Sequence, residues 1–171
     1  MEMCMKNIIL IGFMGAGKTA IGNRISKKLG YEYIDTDQYI EEREGMTITN
    51  IFAEKGEEYF RNLETSIIKE LMLRQEPTIY STGGGMPLRK ENADLLKKLG
   101  VVVYLKAEPD TIYSRLKGDT KRPLLQCSDP KQKIIDLLEV RNPKYQEACD
   151  HVVCVDCKDI KTVADEVMNL R

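Results

Sequence analysis

The feature that most restricts the fold of this chain is a glycine-rich loop at residues 12–19, with the sequence GFMGAGKT. It follows the apolar run at 8–11 and precedes a helical pattern, so it matches G-x-x-x-x-G-K-[ST] in the strand–loop–helix context that this motif requires. A glycine-rich turn that only joins a strand to a helix is the alternative. At average residue frequencies, such a pattern would occur by chance in well under about 1% of chains of this length. The sequence therefore predicts a nucleotide-binding protein.

The residues of this loop have physical reasons to bind phosphate. Glycines let the backbone wrap around an anion so that successive N–H groups point inward, and the helix that begins near Lys18 adds the positive end of its dipole. We expect Lys18 to reach the β- and γ-phosphates and the Thr19 hydroxyl to bind Mg²⁺. The loop residues expected to contact ATP are Gly12, Met14, Gly15, Ala16, Gly17, Lys18, Thr19 and Ala20.

Length and composition predict one soluble globular domain over residues 1–171. The net charge is −1 with both signs interspersed, which argues against partners such as nucleic acid or a membrane surface. We expect no signal peptide and no membrane span, because the apolar run after the polar amino terminus is short. Five cysteines, an odd number, favour reduced thiols in a cytoplasm. Nothing in the composition requires a partner, so a monomer is expected.

Short apolar runs alternate with helical patterns along the chain, which indicates an α/β protein with a parallel sheet. Strands are predicted at 7–11, 31–35, 78–82, 101–105 and 152–155. Helices are predicted at 18–29, 38–43, 49–55, 57–74, 89–98, 109–116, 131–148 and 160–170. The polar, proline-containing stretch at 117–129 predicts a long loop, and such loops in compact domains tend to be functional lids.

Two aspartates, Asp35 and Asp37, follow the second predicted strand. Either one could simply cap the next helix. A cap needs one acid, however, and parallel sheets bind their ligands at the carboxyl ends of strands, where this pair lies. Both side chains can face a cleft there, one orienting a water on Mg²⁺ and the other accepting a proton from a substrate hydroxyl. Phosphoryl transfer needs these parts.

Each of the other candidate residues gives weaker evidence of ligand binding when it is considered alone. Arg61 lies on a glutamate-rich predicted helix, where a solvated ion pair is the alternative to ligand binding. The glycines at 83–85 follow a strand, and their entropic cost favours a close approach of a ligand over a plain turn. Arg115 and Arg122 lie in or beside the long loop and are either solvated or brought over a phosphate when the loop closes. Arg141 alone would be a surface residue.

Together these segments resemble the shikimate kinases, a family of P-loop proteins in the nucleoside-monophosphate-kinase-like branch. Six segments carry the resemblance in order: GFMGAGKT at 12–19, DTD at 35–37, FRNLE at 60–64, TGGG at 82–85, RPLL at 122–125 and RNPKYQEAC at 141–149. The resemblance implies an α/β three-layer P-loop kinase fold with a central five-stranded parallel sheet flanked by helices. It also implies transfer of the ATP γ-phosphate to the 3-hydroxyl of shikimate.

The resemblance implies roles for residues around the acceptor. Asp37 would hold the substrate hydroxyls and serve as the base, within a substrate-binding helical region at about 36–63. Arg61 and Arg141 would bind the substrate carboxylate, which suits the bidentate geometry of a guanidinium group. The glycines expected to contact the substrate are Gly83, Gly84 and Gly85, with the Gly84 amide donating to a substrate oxygen.

On the nucleotide side, the resemblance implies Mg²⁺ served by Thr19 and Asp35, with Ser81 nearby in the third predicted strand. Arg122 would reach the phosphates from the lid, and Arg115 would lie against the adenine. The expected catalytic residues are Asp37, Lys18 and Arg122.

The chain departs from the family pattern after its last predicted strand. Family members often carry a basic Asn-Arg-Arg stretch there, whereas residues 155–161 are VDCKDIK, which leaves the adenine contacts on that side open. Cys154-x-x-Cys157 has the spacing of metal ligands, but a structural zinc site normally draws on two such pairs. Because 152–155 is predicted as a buried strand, we expect core cysteines instead of a zinc or redox site.

Two other functions remain as alternatives at this point. A sister kinase of the same fold would act on gluconate, a nucleoside monophosphate or adenylyl sulfate, and the DTD, FRNLE and TGGG segments argue against it. A non-catalytic nucleotide switch would need an Asn-Lys-x-Asp stretch and an Asp-x-x-Gly loop, and neither occurs in the sequence.

Overall fold

The computed structural model describes residues 6–122 and 126–171, and its centre is a five-stranded parallel sheet flanked by helices. The strands are β1 (Ile8–Ile11), β2 (Glu32–Asp35), β3 (Thr78–Ser81), β4 (Val101–Lys106) and β5 (His151–Cys154). The helices are α1 (Lys18–Leu29), α2 (Thr36–Glu44), α3 (Ile48–Leu71), α4 (Lys90–Leu99), α5 (Pro109–Leu116), α6 (Pro130–Ala148) and α7 (Ile160–Met168). The predicted fold class is confirmed.

The strand order β2-β3-β1-β4-β5 places β1 in the middle of the sheet. All four residues of β1 are buried, which explains why the strand is a continuous apolar run and not an alternating pattern. Ser81 pairs in register with Leu10 on one side and with Asp35 on the other. The carboxyl ends of β1, β2 and β3 therefore meet at one edge of the sheet.

The boundaries of three helices follow from glycine and aspartate. Helix α1 matches its predicted bounds and ends at Gly30, which has a left-handed φ of 70°. Helix α2 begins at Thr36, before its predicted start, because Asp35 caps it. The two helices predicted on either side of Gly56 adjoin directly within α3, where that glycine, at φ 83° and ψ 171°, introduces a kink.

Strand β5 corrects one expectation about burial. It lies at the edge of the sheet and pairs with β4 alone, so that Val153 is buried while Val152 is 48% exposed. Cys154 and Cys157 are both exposed. The prediction that the strand and its cysteine are core elements is wrong, because an edge strand is only partly covered by its neighbours.

The predicted lid at 117–129 is described only in part. Its RPLL segment is described at Arg122, whereas Pro123, Leu124 and Leu125 lie outside the described residues. Across the ranges 6–122 and 126–171, the helices are all too short or too polar to cross a membrane.

Candidate active site

The phosphate loop lies between β1 and α1, as its sequence context predicts. Gly12, Gly15 and Gly17 have φ angles of +148°, +79° and +97°, a region that disfavours residues with side chains. A Cβ on Gly12 would also lie 2.7 Å from the carbonyl oxygen of Leu105 in β4. Ala16 is buried, and its N–H donates to the Phe13 carbonyl at 3.2 Å, which closes the loop.

Lys18 lies inside the curve of this loop. Its ammonium donates to the carbonyl oxygens of Gly12 at 2.7 Å and Phe13 at 3.0 Å. Burial lowers the pKa of Lys18 to about 8, while the Asp37 and Asp35 carboxylates act in the opposite direction. The side chain is therefore mainly cationic at neutral pH and lies within electrostatic reach of both aspartates.

The two aspartates have different environments, as a cap and a free acid would. Asp35 Oδ1 accepts hydrogen bonds from the N–H groups of Asp37 at 3.0 Å and Gln38 at 3.1 Å. Burial, and then the charge of Asp35, raises the pKa of Asp37 to about 6, with Lys18 opposing the shift. Asp37 is thus ionised at neutral pH and more basic than an ordinary aspartate, which suits proton acceptance.

The triple-glycine turn after β3 brings the predicted acceptor residues together. A Cβ on Gly83 would collide with the Asp37 carboxylate, and one on Gly85 would lie 2.5 Å from Arg61 Nη1. A Cβ on Gly84 would lie 3.6 Å from Arg141 Nη1. Each glycine therefore faces one predicted acceptor-binding side chain, and the Gly83 N–H also donates to the Thr36 hydroxyl at 3.1 Å.

Arg61 is held by a buried glutamate that the sequence analysis did not single out. Its Nη1 lies 2.8 Å from Glu64 Oε2, and Glu64 is 1% exposed. Burial raises the pKa of Glu64 to about 7, and the Arg61 charge opposes that rise. The i,i+3 spacing of the two residues in a helix was the available signal, because it predicts contact between them.

Arg141 connects the glycine turn with the phosphate loop. It extends from α6, and its guanidinium carbon lies 5.4 Å from the centroid of the Phe13 ring, in cation–π geometry. Its positive charge also acts on Lys18. Arg141 therefore lies beside the phosphate loop, within electrostatic reach of Lys18.

Two cavities lie on the sides of the phosphate loop that are predicted to face the lid and the adenine. One, of about 480 Å³, has Met14, Asp35, Asp37 and Arg122 among its walls, and the Arg122 Nε donates to Asp119 at 3.2 Å. The other, of about 350 Å³, adjoins the outer side of the phosphate loop. Its walls include Gly15, Gly17, Ala20, Arg115 and Lys158. Arg115 is anchored there by a hydrogen bond from Nη1 to the Gly15 carbonyl at 2.9 Å.

The edge of the sheet near Thr19 and Asp35 has the oxygen donors that a hydrated Mg²⁺ requires. The Tyr33 hydroxyl is buried and has no hydrogen-bond partner among residues 6–122 and 126–171, although the Ser81 and Thr19 hydroxyls face it. Gly22 makes room for this ring, since a Cβ there would lie 2.6 Å from Tyr33 Cε2. A few hydroxyls with one carboxylate fit Mg²⁺, which keeps several waters and binds phosphates. Sequence reasoning missed Tyr33.

A phosphate loop on a parallel sheet, beside a turn flanked by two arginines and an aspartate, defines the chain as a P-loop kinase of a small molecule. The family model described as shikimate kinase matches residues 14–170. The chain belongs to the shikimate kinase family.

Similarity to individual members extends over nearly the whole chain. It is 43% identical over 166 residues to a shikimate kinase of Thermodesulfovibrio yellowstonii, covering 96% of this chain and 94% of that protein. It is 44% identical over 165 residues to one of Actinobacillus pleuropneumoniae, covering 96% and 95% of the two chains. The solved shikimate kinase of Acinetobacter baumannii in complex with shikimate is 38% identical with a TM-score of 0.90, covering 98% of this chain and 93% of that one.

Proposed function

We propose that this protein transfers the γ-phosphate of ATP to the 3-hydroxyl of shikimate, giving shikimate 3-phosphate and ADP. The observation that carries the proposal is the triple-glycine turn, where Gly83, Gly84 and Gly85 face Asp37, Arg141 and Arg61 in turn. A small acid with several hydroxyls needs such an arrangement, with guanidinium groups for its carboxylate and a carboxylate for its hydroxyls. Family membership favours shikimate over gluconate, a nucleoside monophosphate or adenylyl sulfate as the acceptor.

The acceptor would lie between α3 and α6, over the glycine turn. Arg61 and Arg141 would bind its carboxylate, and Asp37 would accept hydrogen bonds from its hydroxyls. The Gly83, Gly84 and Gly85 main chain would contact the ring, because the absence of side chains leaves room for a close approach. Most of these groups come from the helical region at 36–63 and from the turn after β3.

The nucleotide would bind with its phosphates in the loop at 12–19 and its adenine in the cavity beside Arg115. Ala20 and Lys158 line that cavity, and Lys158 comes from the segment after β5, where family members often carry a basic stretch. Thr19 and Asp35 would serve Mg²⁺, with the Ser81 hydroxyl close by. When bound, Mg²⁺ would neutralise negative charge on the β- and γ-phosphates.

In the transfer step, the 3-hydroxyl oxygen of shikimate forms a bond to the γ-phosphorus while the bond to the β–γ bridging oxygen breaks and ADP leaves. The hydroxyl proton passes to the Asp37 carboxylate, whose pKa of about 6 leaves it ionised and able to accept. Lys18, and Arg122 from the lid at 117–129, stabilise charge on the transferred phosphoryl group. Catalysis of this kind depends on positioning and electrostatics and needs no covalent intermediate.

We further propose that a single chain acts as a monomer and as one domain in the cytoplasm. Every residue given a role above comes from one chain, and one sheet positions both ligands. The described cysteines, Cys127, Cys149, Cys154 and Cys157, are free, which suits a reducing compartment.

The test is an assay of ADP release by the purified protein with ATP and Mg²⁺ across a panel of acceptors. Shikimate is expected to stimulate release strongly, with gluconate, adenosine monophosphate and adenylyl sulfate at the background rate. Product analysis must show shikimate 3-phosphate, since ADP alone also arises from hydrolysis. Arg61→Ala is the matched control, expected to lose shikimate-stimulated release while retaining ADP binding. Equal stimulation by another acceptor, or release independent of any acceptor, contradicts the proposal.

A further inference from the structure

Tyr145 is a fully buried tyrosine next to the glycine turn; it lies in the RNPKYQEAC segment, but the proposed mechanism gives it no role. It lies on α6 and is 0% exposed. Its hydroxyl donates to the Gly84 carbonyl oxygen at 2.7 Å, joining two segments that are distant in sequence. A Cβ on Gly84 would lie 3.6 Å from both this hydroxyl and Arg141 Nη1. The hydroxyl therefore contacts the turn at the point where Arg141 approaches it.

The hydrogen bond orients a peptide group in the proposed acceptor site. The peptide joining Gly84 and Gly85 is planar, so a carbonyl directed at Tyr145 turns the Gly85 N–H in the opposite direction. Within residues 6–122 and 126–171, the Gly84 and Gly85 N–H groups donate to no protein acceptor. Glycine has wide backbone freedom, so without an external anchor this peptide could rotate.

The segment of α6 around Arg141 also depends on tertiary contacts. Pro143 lies inside the helix and lacks an N–H, so the helix loses a backbone hydrogen bond within a turn of Arg141. Two tyrosines compensate on the buried side: Tyr104 in β4 donates to Asn142 Oδ1 at 2.6 Å, and Tyr145 donates to Gly84. Their rings are in contact, with centroids 5.1 Å apart.

The electrostatics of the hydroxyl agree with this geometry. Burial raises the pKa of Tyr145, and the neighbouring Arg141 guanidinium opposes that rise. The phenol is thus kept neutral, as a hydrogen-bond donor to a carbonyl must be.

We propose that Tyr145 is a positioning residue for the acceptor: its hydroxyl fixes the Gly84–Gly85 peptide and places Arg141 beside it, so that both present their donors to one ligand. The inference rests on the proposed function, in which these groups bind shikimate. It adds a residue that touches no substrate and acts through the turn and the arginine.

The test compares Tyr145→Phe with Tyr104→Phe in steady-state kinetics. Tyr145→Phe is expected to raise the KM for shikimate by about threefold to tenfold, the effect of one buried hydrogen bond, with kcat and the KM for ATP within about twofold. Tyr104→Phe removes a similar buried bond to the same helix without touching the turn. It should lower Tm comparably and leave the KM for shikimate within about twofold. Equal rises in both variants would mean general loosening of α6 and would overturn the proposal.

Amide hydrogen exchange supplies a readout that does not depend on the identity of the acceptor. The Gly83 and Met86 amides, which donate to the Thr36 hydroxyl and to the Gly83 carbonyl at the glycine turn, should exchange faster in Tyr145→Phe than in the wild type or Tyr104→Phe. Unchanged exchange there overturns the proposal, as does a wild-type KM for shikimate in Tyr145→Phe. Failure of the wild type to phosphorylate shikimate would refute the proposed function instead, and the exchange result would still decide whether the hydroxyl fixes the turn.

Discussion

The guanidinium groups of Arg61 and Arg141, carried by different helices, reach adjacent glycines of one turn. A Cβ on Gly85 would lie 2.5 Å from Arg61 Nη1, and one on Gly84 would lie 3.6 Å from Arg141 Nη1. Two guanidinium groups against neighbouring residues of one turn, at the carboxyl ends of the strands, support the proposal that the acceptor's carboxylate binds there. The relationship follows from the way α3 and α6 are both directed at the end of β3.

Because Gly85 lies so close to Arg61, replacing this glycine with alanine should weaken binding of the acceptor without changing the backbone. Gly85 has an ordinary φ of −89°, so alanine is compatible with its conformation, and the three atoms nearest to the added methyl group all belong to the Arg61 guanidinium. Gly85→Ala is expected to displace that guanidinium and raise the KM for shikimate at least about tenfold, with Tm nearly unchanged.

Gly84→Ala is the matched comparison for this variant. Its methyl group would meet neighbours at 3.6 Å, an ordinary van der Waals contact, so steady-state assays should show a smaller rise in KM. A larger effect at Gly84 than at Gly85 would contradict the expectation that the close contact between Gly85 and Arg61 controls binding of the acceptor.

Asp37→Asn tests the assignment of the base. The substitution keeps the shape of the side chain and removes its ability to accept a proton. We expect kcat to fall by about a hundredfold or more, the range typical of a general base. Tm should not fall, because the burial that raises the pKa of Asp37 also means that its charge is poorly solvated in the folded state. Near-wild-type turnover, measured by product formation, would refute the role.

We expect a bell-shaped pH profile for kcat/KM of ATP, which reports the free enzyme, because two titrating side chains must each be in one protonation state. Asp37, with a pKa raised to about 6, must be ionised, so activity should rise as the pH passes through about 6. Lys18, with a pKa lowered to about 8, must be protonated, so activity should fall as the pH passes through about 8. The acidic limb should disappear in Asp37→Asn. Its persistence there would assign the limb to another group.

The raised pKa of Glu64 should make the free energy of unfolding depend on pH. Because burial raises its pKa from 4.5 to about 7, the folded protein holds this proton at pH values where the unfolded chain has lost it. The resulting stability is present in acid and is lost as the pH rises through about 7, with a slope of up to about 1.4 kcal/mol per pH unit. Urea unfolding of the wild type between pH 5 and pH 8 should show this slope.

Glu64→Gln should reduce that slope, since glutamine does not titrate, and the slope that remains below about pH 6 comes from Asp37, whose pKa is also raised. Glu57→Gln is the control: Glu57 also faces Arg61, at 3.6 Å, but its side chain is 71% exposed, so the slope should remain. An unchanged slope in Glu64→Gln would contradict the effect assigned to burial.

The sequence by itself determined the parts of the protein that depend on neighbouring residues. The phosphate loop was predictable because its glycines, Lys18 and Thr19 are contiguous and the flanking strand and helix have distinct periodicities. The bounds of α1 followed in the same way from Lys18 and the αL cap at Gly30. The family was also predictable from the sequence, because each motif is a short run of neighbouring residues and the motifs occur in order along the chain.

Only the tertiary structure decided which groups meet, because strand order and helix direction bring together segments that are distant in sequence. It placed Asp37, Arg141 and Arg61 against successive glycines of one turn. It made Glu64 a buried anchor for Arg61, and it left Cys154 exposed on an edge strand where the pattern predicted a core residue. Burial is set by the packing of the whole chain, so no local pattern predicts the burial of the Tyr145 side chain and the Tyr33 hydroxyl.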